Sequence, residues 1–249
     1  MSKLNNNIIN KIILLVKEGK TNIEISKILR LSPTTVRKYT VLNGLKTNSI
    51  KNKPIKGIIK LSKEQEEIIF GSLLGDMCIS KTQKSARLLI SQGGKHEKYF
   101  DHLCKKFNNL IGAINKNKYF DNRTNKYYNK FSTKTLANKT YLEIYNIVYL
   151  NNIKTINDKW LDNITERSIA YWFMDDGSKN GIFATNCFTK DEVIKLKNML
   201  KNKFNLNFRI KKVYNKNQWI LCVLPKSKQD FENLIQPYII DSMKYKLTK

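Results

Sequence analysis

Two stretches a hundred residues apart constrain this chain more than any other feature. IFGSLLGDM (69–77) and IAYWFMDDG (169–177) are each an apolar run that ends in acid, with Asp76 and Asp176 at the same place, 176 − 76 = 100 residues apart. A helix C-terminus carries partial negative charge, so anions are poor closing residues there. The elements after each run also recur in order. The first is succeeded by a strand-like SARLLISQ (85–92), a helix HEKYFDHLCKKFNNLIG, a hairpin of NKYFD and KYYNKFST turning at Asn122–Asn125, and a helix ANKTYLEIYNIVYL. The second is succeeded by a strand GIFATNC, a helix DEVIKLKNMLKNKF, a hairpin FRIKKVY/QWILCVL turning at Asn215–Asn217, and a helix KQDFENLIQPYI. Capping boxes at Ser62/Gln65 and Thr189/Glu192 mark two of the helix starts. A repeat of this length predicts two similar half-domains, residues 61–155 and 156–249, not a solenoid.

The acids acquire a role if the two apolar helices pack together. Gly71 and Gly75 stand at i and i+4, and small residues at that spacing let helix backbones approach closely. The second run offers Ala170 at a comparable place, followed by the bulky Tyr171 and Trp172. Parallel packing would bring Asp76 and Asp176 side by side, two anions in mutual repulsion, which is costly unless a cation neutralises them. Hard carboxylate oxygens suit Mg²⁺ (or Mn²⁺), which keeps its waters and binds through one or two carboxylates plus substrate phosphate. That is an arrangement for metal-assisted phosphodiester hydrolysis. Taken singly, Gly-Asp after Leu-Leu is an ordinary helix stop and Asp-Gly an ordinary turn; recurrence in the same context favours the site.

The charge agrees with a phosphate-bearing partner. Forty-six Lys and Arg against 20 Asp and Glu give a formal net charge of +26, spread along the chain. That is the footprint of a polyanion binder, and nucleic acid is the expected partner. A low-GC coding bias would raise Glu together with Lys, and cannot by itself produce the asymmetry. The four cysteines lie far apart with no CxxC pair and there are only two histidines, which excludes a zinc finger and predicts no disulfide framework, hence a reducing compartment. No apolar run approaches the ~18 residues of a membrane span, and IILLV near the N-terminus lacks a signal-peptide cleavage site.

Residues 1–46 read as a separate all-α unit. Its first helix, NNIINKIILLVKEG, stops at Gly19; the second opens with the capping box Thr21/Glu24; the third opens with Ser32 as N-cap and Pro33 at its first position. The turn around Leu31 makes a helix-turn-helix with a core of Ile12, Leu15, Ile25, Ile28, Leu29 and Val36. The third helix would expose Thr34, Thr35, Arg37 and Lys38 to bases and phosphates; the alternative is a small helical bundle without DNA contact. Residues 47–60 are a lysine-rich stretch without acid, read as a basic linker.

Taken together, IFGSLLGDM and IAYWFMDDG resemble the two motifs of the LAGLIDADG homing endonucleases, of the single-chain, two-motif type encoded in mobile introns or inteins. FTKDEVIKLKNMLKNKFNLN (188–207) and SMKYKL (242–247) extend the resemblance over residues 61–249. It implies an α+β fold of two pseudo-symmetric αββαββα halves, here preceded by the helix-turn-helix, with the motif helices at the interface and each half presenting an antiparallel sheet to the DNA major groove. It assigns the divalent ions to Asp76 and Asp176, with the backbone carbonyls of Gly75 and Asp175 facing the metal. Lys154 and Lys246, 154 − 76 = 78 and 246 − 176 = 70 residues after their acids, would position water, steady the scissile phosphate, or simply touch phosphate. A polar residue that orders water falls at Gln92 or Ser91 in the first copy and at Asn186 in the second, one methylene shorter than the glutamine expected there. Base reading is expected from Arg209 and Lys211 on FRIKKVY and from Lys126 and Lys130 on KYYNKF, with Arg123 and Lys216 in the hairpin turns.

The function implied is site-specific cleavage of both strands of a long double-stranded target by one chain acting as a monomer. The break would promote insertion of the encoding intron or intein. An RNA-splicing maturase acting on intron RNA, and a transcriptional regulator on the same fold, are the alternatives. The setting is intracellular, on DNA, in an organelle, a phage-infected cell or a bacterial cytoplasm.

Overall fold

A computed structural model of the chain describes residues 4–45 and 59–247. The chain divides into two compact units, Met1–Lys53 and Pro54–Lys249. All but the last two residues of the expected basic linker lie outside the described residues.

The first unit is three helices, α1 (Asn6–Lys17), α2 (Asn22–Leu29) and α3 (Pro33–Leu42). The local signals act as anticipated. Thr21 and Glu24 close a capping box, and the Ser32 hydroxyl accepts from Thr35 N ahead of Pro33. Between α2 and α3 the chain turns through Arg30 in the left-handed region, φ 51°. Ile12, Val16, Ile25 and Val36 are buried, with Leu15, Leu29, Leu31 and Tyr39 packed around them. Ile28 departs from the expected core: it is 54 % exposed, because three short helices enclose only the stripe that Ile25 and Leu29 occupy.

The second unit carries the repeat. Its first half runs α4 (Lys63–Leu74), β1 (Cys78–Lys81), β2 (Ala86–Gly93), α5 (Glu97–Lys106), β3 (Asn115–Asp121), β4 (Lys126–Lys134) and α6 (Lys139–Val148). A two-residue ladder of β5 (Tyr149–Leu150) with β6 (Ile153–Lys154) and a single turn α7 (Asp158–Asp162) bridge to the second half. That half runs α8 (Glu166–Asp176), β7 (Gly177–Ser178), β8 (Ile182–Phe183), α9 (Lys190–Phe204), β9 (Phe208–Lys212), β10 (Trp219–Val223) and α10 (Pro225–Ile235). Both halves are αββαββα, and both sheets are antiparallel with equivalent strand orders, β1-β2-β4-β3 and β7-β8-β10-β9.

The second sheet is the shorter. GIFATNC supplies only Ile182–Phe183 to the ladder, and beyond it the Thr185 hydroxyl donates to the Trp219 carbonyl of β10. Both hairpins turn through asparagines at positive φ, Asn125 at 53° and Asn215 at 53°, a conformation asparagine tolerates.

α4 and α8 form the seam between the halves, with Ile68–Leu74 and Ser168–Met174 buried. A Cβ added to Gly71 would stand 2.6 Å from Ser168 Cα, so the backbones touch there. The closest approach therefore falls at Ser168 and not at Ala170. Ser168 Oγ donates to Glu67 O, and Trp160 Nε1 donates to Phe70 O, fastening the crossing. Further along, Gly75 lies against Asp175, so the two helices run the same way and their C-terminal ends converge.

Candidate active site and nucleic-acid face

Three carboxylates gather where α4 and α8 end. Asp76 comes directly after the C-cap Gly75, and Asp175 and Asp176 are the last two residues of α8. Gln92, at the inner end of β2, ties them together: its Nε2 donates to Asp76 Oδ2 and to Asp175 Oδ1, each at 3.1 Å. Asp175 Oδ2 is sealed from water and faces the Tyr99 phenol, which lies in turn beside the Ser72 hydroxyl. Burial, and then the neighbouring charge of Asp76, push Asp175 well above the usual carboxylate range. The same two causes push Asp176 up to about 6, against the opposing pull of Lys246 and Lys154.

The two lysines answer the problem of anions at a helix C-terminus. Lys154 Nζ donates to Leu73 O (2.9 Å), Met77 O (2.7 Å) and Gly75 O (3.4 Å). Lys246 Nζ donates to Met174 O (2.6 Å), Asp175 O (3.1 Å) and Phe173 O (3.4 Å). Each motif helix thus ends on a buried ammonium that satisfies its orphan carbonyls and sets positive charge behind the acids. Burial pulls both ammonium groups below the ordinary lysine value, partly offset for Lys154 by Cys78 and Cys187 and then by Asp176 and Asp175, and for Lys246 by all three acids. The sequence suggested lysines aimed at water or phosphate, with the Gly75 and Asp175 carbonyls aimed at a metal. Here those carbonyls accept from the lysines, and the lysines are anchored to backbone.

The amides are not equivalent. Gln92 joins two carboxylates, whereas Asn186 Nδ2 donates to Gln218 Oε1 at 3.1 Å. The shorter side chain is held on its own sheet.

Among the described residues no three His, Cys, Asp or Glu side chains converge as a complete ligand set. With Asp176 exposed in part and Asp175 turned inward onto Gln92, the available donors are Asp76 and Asp176. Two carboxylates with room for water and phosphate suit Mg²⁺ or Mn²⁺ and do not suit zinc. On the Asp76 side lies an open cleft of 610 Å³ lined by Asp76, Ser91, Gln92, Gly93, Tyr119 and Lys130.

Strand alternation decides which residues share the cleft's side. Phe131 and Thr133 of β4 face the core, so Lys126, Tyr128 and Lys130 face outward with the cleft. Their cross-strand partners Asp121, Tyr119 and Asn117 lie on the same face. On β9 Phe208 is buried while Arg209 and Lys211 are exposed on the opposite face. Arg123 and Lys216 are exposed in the two hairpin turns, with Arg123 bonded to Asp121 at 3.3 Å. In the first unit Thr34, Arg37 and Lys38 are exposed along α3, but the Thr35 hydroxyl is bonded to Ser32 Oγ at 2.8 Å and serves the helix start.

Sequence reading missed Tyr99 and Ser72, whose place beside Asp175 depends on packing between elements far apart in the chain. It also missed the cap role of the lysines, although a lysine at matching places after both motifs was a usable signal.

Comparison with known proteins agrees with this architecture. The LAGLIDADG DNA endonuclease family matches residues 66–231. A probable intron-encoded endonuclease 1 of Wickerhamomyces canadensis is 38 % identical over 201 residues, covering 75 % of this chain and 85 % of the relative. A cytochrome b mRNA maturase bI2 of Debaryomyces hansenii is 34 % identical over 198 residues, covering 75 % and 74 % respectively. The solved structure of the homing endonuclease I-WcaI bound to its DNA recognition sequence matches with a TM-score of 0.72 at 34 % identity, over 84 % of this chain and 97 % of that one. With its paired motif helices, twin antiparallel sheets and converging acids, the chain belongs to the LAGLIDADG DNA endonuclease family.

Proposed function

We propose that the chain is a homing endonuclease that hydrolyses one phosphodiester in each strand of a long, asymmetric double-stranded DNA site, opening the site to the intron or intein that encodes it. The observation that carries this reading is the convergence of Asp76 and Asp176 at the paired ends of α4 and α8, beside a cleft walled by Lys130. A divalent ion, Mg²⁺ or Mn²⁺, supplies Lewis acidity and an activated water when bound. The chain's own residues do the rest. Asp76 and Asp176 would hold the ion; Gln92 fixes the Asp76 carboxylate; Lys154 and Lys246 keep the helix ends, and so the acids, in place. Lys126, Lys130, Arg209 and Lys211, with Arg123 and Lys216 at the tips, track the phosphates and read base edges in the major groove. α3 extends the footprint through Thr34, Arg37 and Lys38. Both motifs lie in one chain, so a monomer suffices.

The test is a plasmid carrying the uninterrupted insertion site, incubated with the protein in Mg²⁺ or in EDTA. Linear product in Mg²⁺ alone supports the reading; intact plasmid in both sinks it. A second reading, maturase action on intron RNA, draws on the 34 % identity to a cytochrome b mRNA maturase. It is checked by adding the protein to the unspliced intron transcript and monitoring ligated exons.

A further inference from the structure

The two halves repeat each other closely, yet at one point they cannot be alike. Where the motif helices converge, a Cβ on Gly75 would lie 2.5 Å from the Asp175 Cβ and 2.9 Å from its Oδ2. Gly75 and Asp175 are equivalent positions, each preceding its motif's final acid, and the gap between the helices admits one side chain only. Asp175 occupies it. Its carboxylate thereby crosses the pseudo-symmetry axis and reaches Gln92, 83 residues earlier in the chain and in the other half.

We propose that Asp175 is a positioning residue that makes the two cleavage sites unequal. Gln92 has two amide hydrogens; one goes to Asp175 Oδ1 and the other to Asp76 Oδ2, so its donors are fully used and its orientation fixed. Gln92 is 6 % exposed, which leaves water little access to compete for either bond. Asp76 therefore receives an outer support of the kind that orients ligating carboxylates. Asp176 has no counterpart. Gly75 has no side chain to send across, and the amide of Asn186 is taken by Gln218 within its own sheet. The site built on Asp76 is preorganised by a contact that its twin lacks, so one DNA strand is cut ahead of the other and a nicked intermediate accumulates.

This rests on the endonuclease reading, and the experiment separates the two. The insertion site is labelled on each strand in turn, and single-strand rates are measured in Mg²⁺ for the wild type, Asp175→Ala and Asp175→Asn. Asp175→Ala removes the acceptor and leaves the α8 backbone in place; the expected result is a loss of about tenfold on one strand with the other within about twofold. Asp175→Asn keeps an oxygen that accepts from Gln92 and restores most of that loss. Equal slowing of both strands, or no recovery with Asn, overturns the proposal.

A second readout needs no cleavage. In EDTA, thermal unfolding of Asp175→Ala, Gln92→Ala and the double variant is expected to be non-additive, since either change alone already breaks the bridge. Additive shifts in Tm contradict it. Wild type that cuts neither strand removes the endonuclease reading, and the unfolding cycle still decides the Asp175–Gln92 contact.

Discussion

Replacing Asp176 by Asn removes a charge that folding works against, so the metal-free protein gains stability. The carboxyl moves from 3.8 to about 6, driven by burial and by Asp76. At about 1.4 kcal/mol per unit, and allowing for its partial exposure, the ionised group costs the folded state about 2–3 kcal/mol. The unfolded chain ionises Asp176 near pH 4 and the folded chain near pH 6. Between those values the fold holds a proton that the unfolded chain has released, so stability falls as pH rises across the window and the full cost stands above it. Asn does not titrate and escapes that cost. Thermal unfolding in EDTA at pH 8 should therefore place Asp176→Asn above wild type, by about 5–10 °C for a unit of this size, with the gap closing as pH is lowered through 6 towards 4. Adding Mg²⁺ reverses the order, because the ion stabilises only the protein that binds it, in proportion to its affinity. A variant less stable than wild type in EDTA at pH 8 would refute the claim that the acids are held together under repulsion.

The same geometry sets other outcomes. Gly71→Ala sets a Cβ against the Ser168 carbonyl oxygen and 2.6 Å from its Cα, so the motif helices must part; a loss of about 1–3 kcal/mol or more is expected in urea unfolding, while Gly93→Ala, with open space around it, is the neutral control. Lys246→Met leaves three carbonyls and the acids without their ammonium, and should lower both Tm and cleavage; retained Tm would show that the cap is dispensable. Arg209→Ala and Lys211→Ala should each weaken binding of DNA in Ca²⁺ and reduce the salt slope by about one where a phosphate contact is lost. Arg37→Ala with Lys38→Ala should shorten the footprint on the target, measured by nuclease protection.

Much of this was legible from residue chemistry because the deciding interactions are local. All three capping boxes, Thr21/Glu24, Ser62/Gln65 and Thr189/Glu192, form as their spacing requires. The hairpins turn at the asparagines that can take positive φ. The motif helices were marked by glycine spacing and by the shared acid, and the alternation of β4 and β9 sorted core from outward face once Phe131 and Phe208 were placed. What stayed hidden is tertiary. β5, β6 and β8 are two residues long, too short for any period to register. The expected strand GIFATNC contributes only Ile182–Phe183 to the ladder. Lys154 and Lys246 were expected to act on water or phosphate; that their Nζ atoms donate to helix ends some 70–80 residues earlier is a tertiary contact that no local pattern signals. Asp175 was expected to offer only its backbone; its side chain proves to bridge the halves through Gln92.

The central claim, that one carboxylate from each half makes the catalytic centre, is tested most directly by cleavage of the uninterrupted insertion site in Mg²⁺ by wild type, Asp76→Asn and Asp176→Asn. The account expects double-strand breaks from wild type and none from either variant, while both still bind the DNA. Full cleavage by Asp176→Asn would contradict it.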